Sequence, residues 1–330
     1  MRPLSKGMVT RRVVCAMALP LFGLLLLSSA YAQFRSDTRL VVLHASVNDR
    51  KGKLLTNLEQ NAFKVFENGQ PQEVKVFKRE DVPVSLGIII DDSGSMMSKR
   101  SRVEAAALAM VRESNPQDEV FIVNFNDDAF LDVPFTSDIR KMEQGLARID
   151  ARGGTAMRDA LGMSLDYTKK EAKRDKKVLL VITDGNDNAS GTSLEKIVAR
   201  SNQSDVLVYA IGLFTEEEKR EASKARRALN ELTTATGGLA FYPKEVSEVQ
   251  ALAVEVAHDI RNQYTIAYTP TIQALDGSYR QIRVTVEAPG KPVVRTRTGY
   301  YATPDTAASN KPSSSTPDNS QRRSSNSFRQ

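Results

Sequence analysis

The stretch Val84-Ser85-Leu86-Gly87-Ile88-Ile89-Ile90-Asp91-Asp92-Ser93-Gly94-Ser95 decides how this chain folds. Its first seven residues are almost wholly apolar, the pattern of a strand covered on both faces, as in a parallel sheet. The sequence then turns at once to carboxylates and hydroxyls spaced two apart. Side chains just past the carboxyl end of such a strand lie at the rim where open α/β sheets hold their ligands. Asp91, Ser93 and Ser95 offer only hard oxygen atoms, which suit Mg²⁺, Mn²⁺ or Ca²⁺ and not zinc or copper.

Outward from this strand, helical and strand patterns alternate. Helical spacing of Val103, Ala107, Met110 and Val111 predicts a helix over 98–114, which Pro116 helps to end. Strands follow at 120–125 and 130–135, then helices near 138–149 and 156–172. A second wholly apolar strand, 178–182, runs into Thr183-Asp184-Gly185. Helix 193–202, strand 206–211, the charged helix 216–235, a short strand at 239–242 and helix 245–262 complete the series. Alternation of this kind predicts an α/β fold with a parallel, doubly wound sheet and helices on both faces.

The two ends read as β. Residues 40–47 are strand-like, and strands at 63–66 and 74–77 flank the turn signal Asn68-Gly69. After Asn262, Tyr264, Ile266 and Tyr268 alternate with polar or small residues, Asp276-Gly277 marks a hairpin, and Ile282, Val284 and Val286 alternate again. Neither end is large enough to close a core alone, so the two are expected to pair into one small β unit. The chain thus divides into 37–80 (β), 82–262 (α/β), 263–302 (β) and a Ser-, Asn- and Pro-rich tail over 303–330 with the composition of disorder.

The first 32 residues read as a secretory signal. Arg2, Lys6, Arg11 and Arg12 precede an apolar run from Val13 to Leu27, and Ala30-Tyr31-Ala32 supplies a small-residue cleavage site. That run is short of the roughly 20 residues a spanning helix needs, so no membrane span is expected after cleavage. The mature protein is expected in the periplasm or outside the cell. Four of the basic residues behind the formal charge of +6 leave with the signal, and the near-neutral remainder excludes a nucleic-acid reading based on charge. Cys15, the only cysteine, leaves as well, which removes disulfide, thiol-nucleophile and thiolate-ligand chemistry from the mature chain.

One loop does not hold a divalent cation firmly. Two further loops offer oxygen: Gly153-Gly154-Thr155, where the glycines allow close backbone approach, and Asp184 after the second apolar strand. Asp91, Ser93, Ser95, Thr155 and Asp184 are therefore the candidate metal site, an oxygen-only set with two carboxylates. Asp-x-Ser-Gly-Ser, Gly-Gly-Thr and Thr-Asp-Gly, each in its αβ context, closely resemble the von Willebrand factor type A domain. The resemblance covers about residues 82–262. It implies a Rossmann-like, mostly parallel sheet with a metal-ion-dependent adhesion site at its carboxyl rim. It also implies roles: Ser93 and Ser95 on the ion directly, Thr155 directly or through water, and Asp91 and Asp184 mainly through water. The ion would be Mg²⁺ or Mn²⁺, with Ca²⁺ the poorer fit, and the partner a protein presenting an acidic side chain. Phe63-x-Val65-x-Glu67-Asn68-Gly69-x-Pro71-Gln72 and Thr298-Gly299-Tyr300-Tyr301 extend the resemblance to a bacterial family of secreted von Willebrand factor A-related proteins.

Rival readings fail on particular residues. A phospho-receiver built on Asp91 and Asp92 lacks a third aspartate at a strand end. A haloacid-dehalogenase-type phosphatase needs an aspartate where Ser93 stands. A calcium-hand loop from Asp184 to Glu195 has Ala189 where the sharp turn needs glycine. His44 and His258 have no serine or cysteine partner implied, so the expectation is a binding module and not an enzyme. The alternative is a structural or envelope-assembly protein in which metal binding is incidental.

Overall fold

The computed structural model describes residues 40–303 except 80, 114, 147–151 and 215–218. The expected signal and tail lie outside the described residues, apart from Thr303. The elements run β1 (Val41–Asn48), β2 (Phe63–Glu67), β3 (Gln70–Gln72), β4 (Val74–Lys78), β5 (Val84–Asp91), α1 (Arg100–Arg112), β6 (Glu119–Phe125) and β7 (Ala129–Thr136). Then come α2 (Ile139–Leu146), α3 (Met157–Glu171), β8 (Lys176–Thr183), α4 (Leu194–Gln203), β9 (Val206–Gly212), α5 (Lys219–Thr236), β10 (Ala240–Phe241) and α6 (Val249–Arg261). The chain finishes in β11 (Tyr264–Tyr268), β12 (Tyr279–Val286), β13 (Val293–Arg295) and β14 (Gly299–Tyr301).

The central sheet has six strands in the order β10-β9-β8-β5-β6-β7, parallel except for β7, which runs antiparallel to β6 at one edge. Every residue of β5 is buried, and successive side chains of a strand point to opposite faces. Leu86, Ile88 and Ile90 therefore pack with residues of α1 and α6 such as Val103, Met110 and Val256. Ile89 packs on the other face with Phe121, Leu161 and Leu229. Gly87 is required there: a Cβ at this position would run into the Phe121 ring and Leu179. That ring sits edge-on to Phe135 and Tyr167, with centroids 4.8 and 5.0 Å away, a geometry aromatic quadrupoles favour.

The flanking β unit consists of two four-stranded antiparallel sheets, each mixing strands from both ends of the chain: β13-β1-β11-β4 and β14-β12-β2-β3. Val41, Leu43, Val65, Tyr264, Tyr268, Ile282 and Tyr300 fill the core between them. Asn68 and Gly69, at φ 48° and 80°, form the two-residue turn that suits a hairpin's twist. The hairpin differs from the sequence expectation. Phe63–Glu67 pairs with Gln70–Gln72, while Val74–Lys78 crosses to the other sheet beside β11. Asp276-Gly277 is likewise a turn but not a hairpin, because β11 and β12 belong to different sheets. A local turn signal specifies chain reversal; which strand accepts the ladder depends on where the apolar faces find cover.

Polar clasps join the β unit to the α/β layer. The Tyr209 hydroxyl donates to Asp259 Oδ2 (2.6 Å), which also receives Arg295 (2.5 Å). Arg297 donates to the carbonyls of Asn202 (2.6 Å) and Gly299 (3.0 Å) and pairs with Asp205 (3.1 Å). Lys176 Nζ, buried beneath the sheet, donates to the Ile260 carbonyl. Burial pushes the Lys176 ammonium down to about 7, against the pull of Asp259 and Asp81.

Candidate functional site

The parallel registers decide what meets at the sheet's carboxyl rim. Asp91 lies opposite Phe125 of β6, and Ile90 opposite Ile182 of β8. The loops after β5, β6 and β8 therefore leave the sheet at one level. The β5 loop is held by backbone bonds: Asp92 N–H to Phe125 O (2.7 Å), Gly94 N–H to Gly153 O (3.3 Å), and Arg152 N–H to Asp92 O (2.9 Å). Ser93 N–H donates to Asp91 Oδ1 (2.9 Å), closing a local turn that starts the short 3₁₀ segment Gly94–Met96.

Within this frame the hydroxyls and carboxylates converge. Ser95 Oγ donates to Asp184 Oδ1 at 2.7 Å, across 89 residues of sequence, and lies 3.2 Å from Ser93 Oγ. Thr183 Oγ1 donates to Asp91 Oδ2 (2.5 Å). The Thr155 side chain faces Gly185: its hydroxyl oxygen would lie 3.2 Å from a Cβ placed there. All five residues singled out in the sequence thus stand on three loops at one rim. Asp91 is 1 % exposed. Burial pushes its carboxyl up to about 6, although hydrogen bonds from Ser93 and Thr183 pull it down, and the negative charge of Asp184 adds to the rise.

The supports of the site were less visible in the sequence. Asn188 Oδ1 accepts from Thr155 N–H (2.9 Å), while the backbone N–H groups of Asn188 and Ala189 return to Thr155 O (3.1 and 3.2 Å). Asp127 Oδ1 accepts from Gly154 N–H (2.9 Å), so Asp127 braces the glycine loop. Gly153 adopts φ 77°, and a Cβ there would strike the Asp127 carboxylate. Asp159 accepts from Gly191 N–H (2.7 Å) and Thr192 N–H (3.1 Å). Partial burial raises its pKa, but these bonds and the Thr192 hydroxyl outweigh that and hold it below the usual carboxylate range. Two of the supports carry a sequence signal: Asp159 stands four residues after Thr155, and Asn188 is a turn-forming residue just past Asp184.

Lys99 was missed altogether. Its Nζ pairs with Asp184 Oδ2 and lies 3.5 Å from the Ser95 carbonyl. Its one signal was a position four residues after Ser95, at the turn that leads into α1. The histidines lie elsewhere: His44 is in β1, its ring 3.3 Å from the Thr265 hydroxyl, and His258 is in α6. Among the described residues no group of three or more His, Cys, Asp or Glu side chains is arranged to hold a metal ion; the rim cluster has two carboxylates and owes the rest of its oxygen to hydroxyls. Nor is any described helix long and apolar enough to cross a membrane.

Residues 86–186 match the family model of the von Willebrand factor type A domain. The uncharacterized protein YfbK of Escherichia coli is 28 % identical over 228 residues, which are 63 % of this chain and 38 % of that protein. Mouse integrin alpha-11 is 30 % identical over 112 residues, 32 % of this chain and 9 % of that protein. The chain therefore spans well under half the length of either relative. A solved von Willebrand factor type A structure from Catenulispora acidiphila aligns with 80 % of this chain and 75 % of its own, at 13 % identity and a TM-score of 0.48. The matched segment contains all five rim residues, and this chain contains a von Willebrand factor type A domain.

Proposed function

We propose that this protein is an exported, non-catalytic binding module that holds a protein partner through a carboxylate completing the coordination of Mg²⁺ or Mn²⁺ at the rim. The observation that carries the reading is the Ser95 to Asp184 hydrogen bond at 2.7 Å, which brings the β5 and β8 loops within one coordination radius of each other. The donor set fits such an ion: Ser93, Ser95 and Thr155 supply hydroxyls, Asp91 and Asp184 supply carboxylates, and all are hard oxygen. Burial leaves the Asp91 carboxyl raised to about 6, and a nearby divalent charge favours the ionised form. When bound, the ion supplies a Lewis-acidic position that a partner carboxylate can fill.

The chain's own residues do the positioning. Asp92, Gly94 and Arg152 fix the backbone of the serine loop, and Asn188 fixes Thr155. Export rests on the signal pattern of residues 1–32, and the non-catalytic reading on rim hydroxyls that donate to one another or to the carboxylates of the proposed ion site, with both histidines elsewhere. Titration calorimetry tests the mechanism: the full chain should bind Mg²⁺ and Mn²⁺, and Asp91→Ala and Ser93→Ala should not. A folded wild type that takes up neither ion would remove the mechanism. A pull-down from the bacterial envelope, with and without chelator, then asks whether partner capture follows the ion.

A further inference from the structure

The rim holds a cation of its own. Lys99 leaves the β5 loop at the start of α1 and folds back so that its ammonium pairs with Asp184 Oδ2. The pair is enclosed, with side-chain exposures of 13 % for Lys99 and 1 % for Asp184. Ser95 Oγ occupies the other oxygen of the same carboxylate. Both oxygens of Asp184 are thus satisfied by the protein itself, and the charge of the more enclosed partner is balanced. Removing one member of an enclosed pair leaves the other uncompensated and is destabilising.

The loop does not depend on this pair for its shape. Its backbone bonds run from Asp92 to Phe125, from Gly94 to Gly153 and from Arg152 to Asp92, and the Lys99 side chain adds to them only a long contact, 3.5 Å from the Ser95 carbonyl. A lysine ammonium is a compact point charge on a flexible four-carbon stem, and Met97 beside it is 69 % exposed, so open solvent adjoins its turn.

We propose that Lys99 is a tethered competitor for the divalent cation: it holds Asp184 while the site lacks metal and must release that carboxylate before an ion can use it. This rests on the metal-binding reading above and adds what sets the affinity. Without its own cation the empty site would hold two carboxylates in repulsion; with it, metal binding is weakened and the metal-free rim stays folded. Lys99 is a positioning residue and not an ion ligand.

The test is calorimetric titration of MnCl₂ into the full chain as wild type, Lys99→Met, Lys99→Gln and Lys99→Arg, with thermal melts of each in chelator and in saturating Mn²⁺. Lys99→Met and Lys99→Gln should bind Mn²⁺ about tenfold more tightly, the equivalent of roughly 1.4 kcal/mol. In chelator they should melt below wild type, and Mn²⁺ should raise their melting temperature by more than it raises that of wild type. Lys99→Arg, which keeps the charge, should stay near the wild-type affinity. Equal or weaker Mn²⁺ binding by folded Lys99→Met and Lys99→Gln, beside a wild type that binds, overturns the competitor and leaves the metal site standing. Folded proteins of which none binds Mn²⁺ overturn both.

Discussion

The rim and the junction beneath it both bury carboxylates, yet they treat them oppositely. At the junction, Asp259 receives a phenol from Tyr209 and a guanidinium from Arg295. In the β unit, Glu67 receives the hydroxyls of Tyr268 (2.7 Å) and Tyr300 (3.0 Å). These acids are matched by fixed donors on separate elements, and they join layers. At the rim, the charge of Asp184 bears on Asp91, and the two acids are met mostly by hydroxyls, which can accept as well as donate, and by the Lys99 ammonium. A carboxylate matched by donors fixed on other elements is a structural fastening; the rim acids are matched instead by hydroxyls that can turn, by a neighbouring backbone N–H and by an ammonium on a flexible stem.

Breaking the junction should have the largest effect on stability. Asp259→Ala leaves the Arg295 charge and the Tyr209 hydroxyl without their acceptor, which should lower unfolding free energy by about 3–5 kcal/mol. Urea denaturation reads this, and Mn²⁺ affinity at the rim should be unchanged. A matching loss of metal affinity would mean that the two regions are coupled.

The next effect depends on pH. Lys176 is held down to about 7 by burial, so its contribution to stability is complete above its unfolded value near 10.5 and is lost as pH falls toward 7. Replacing it in Lys176→Met removes that penalty. The variant should gain stability relative to wild type at pH 7, and the gain should shrink as denaturation is repeated toward pH 10. A gap independent of pH would show that the ammonium is not desolvated.

The smallest stability effect is expected at the rim. Asp91→Asn keeps the shape and removes a charge that burial already disfavours; its oxygen can still accept from Ser93 N–H and its NH₂ can donate to the Thr183 hydroxyl, so metal-free stability should change by less than about 1 kcal/mol. Mn²⁺ binding should nevertheless be lost. If Asp91→Asn unfolds the metal-free chain, the carboxylate is a fastening like Asp259 and the contrast fails.

Sequence and tertiary structure divide along lines that these residues make plain. The apolar runs 84–90 and 178–182, each of strand length and ending in polar groups, announced buried parallel strands, because a strand apolar at successive positions must be covered on both faces. The polar groups at their ends then had to lie at one rim. Asp91, Ser93 and Ser95 are close in the chain, so their grouping was local and legible. The flanks, each too small for a core, were legible as a shared β unit, but the partner of the Asn68-Gly69 hairpin was not. Distant contacts were decided only by the order and register of strands. Asn188 reaches Thr155 across 33 residues and Lys99 reaches Asp184 across 85. Such pairings follow from where the sheet sets each loop, and no spacing along the chain encodes a distance measured across a folded sheet.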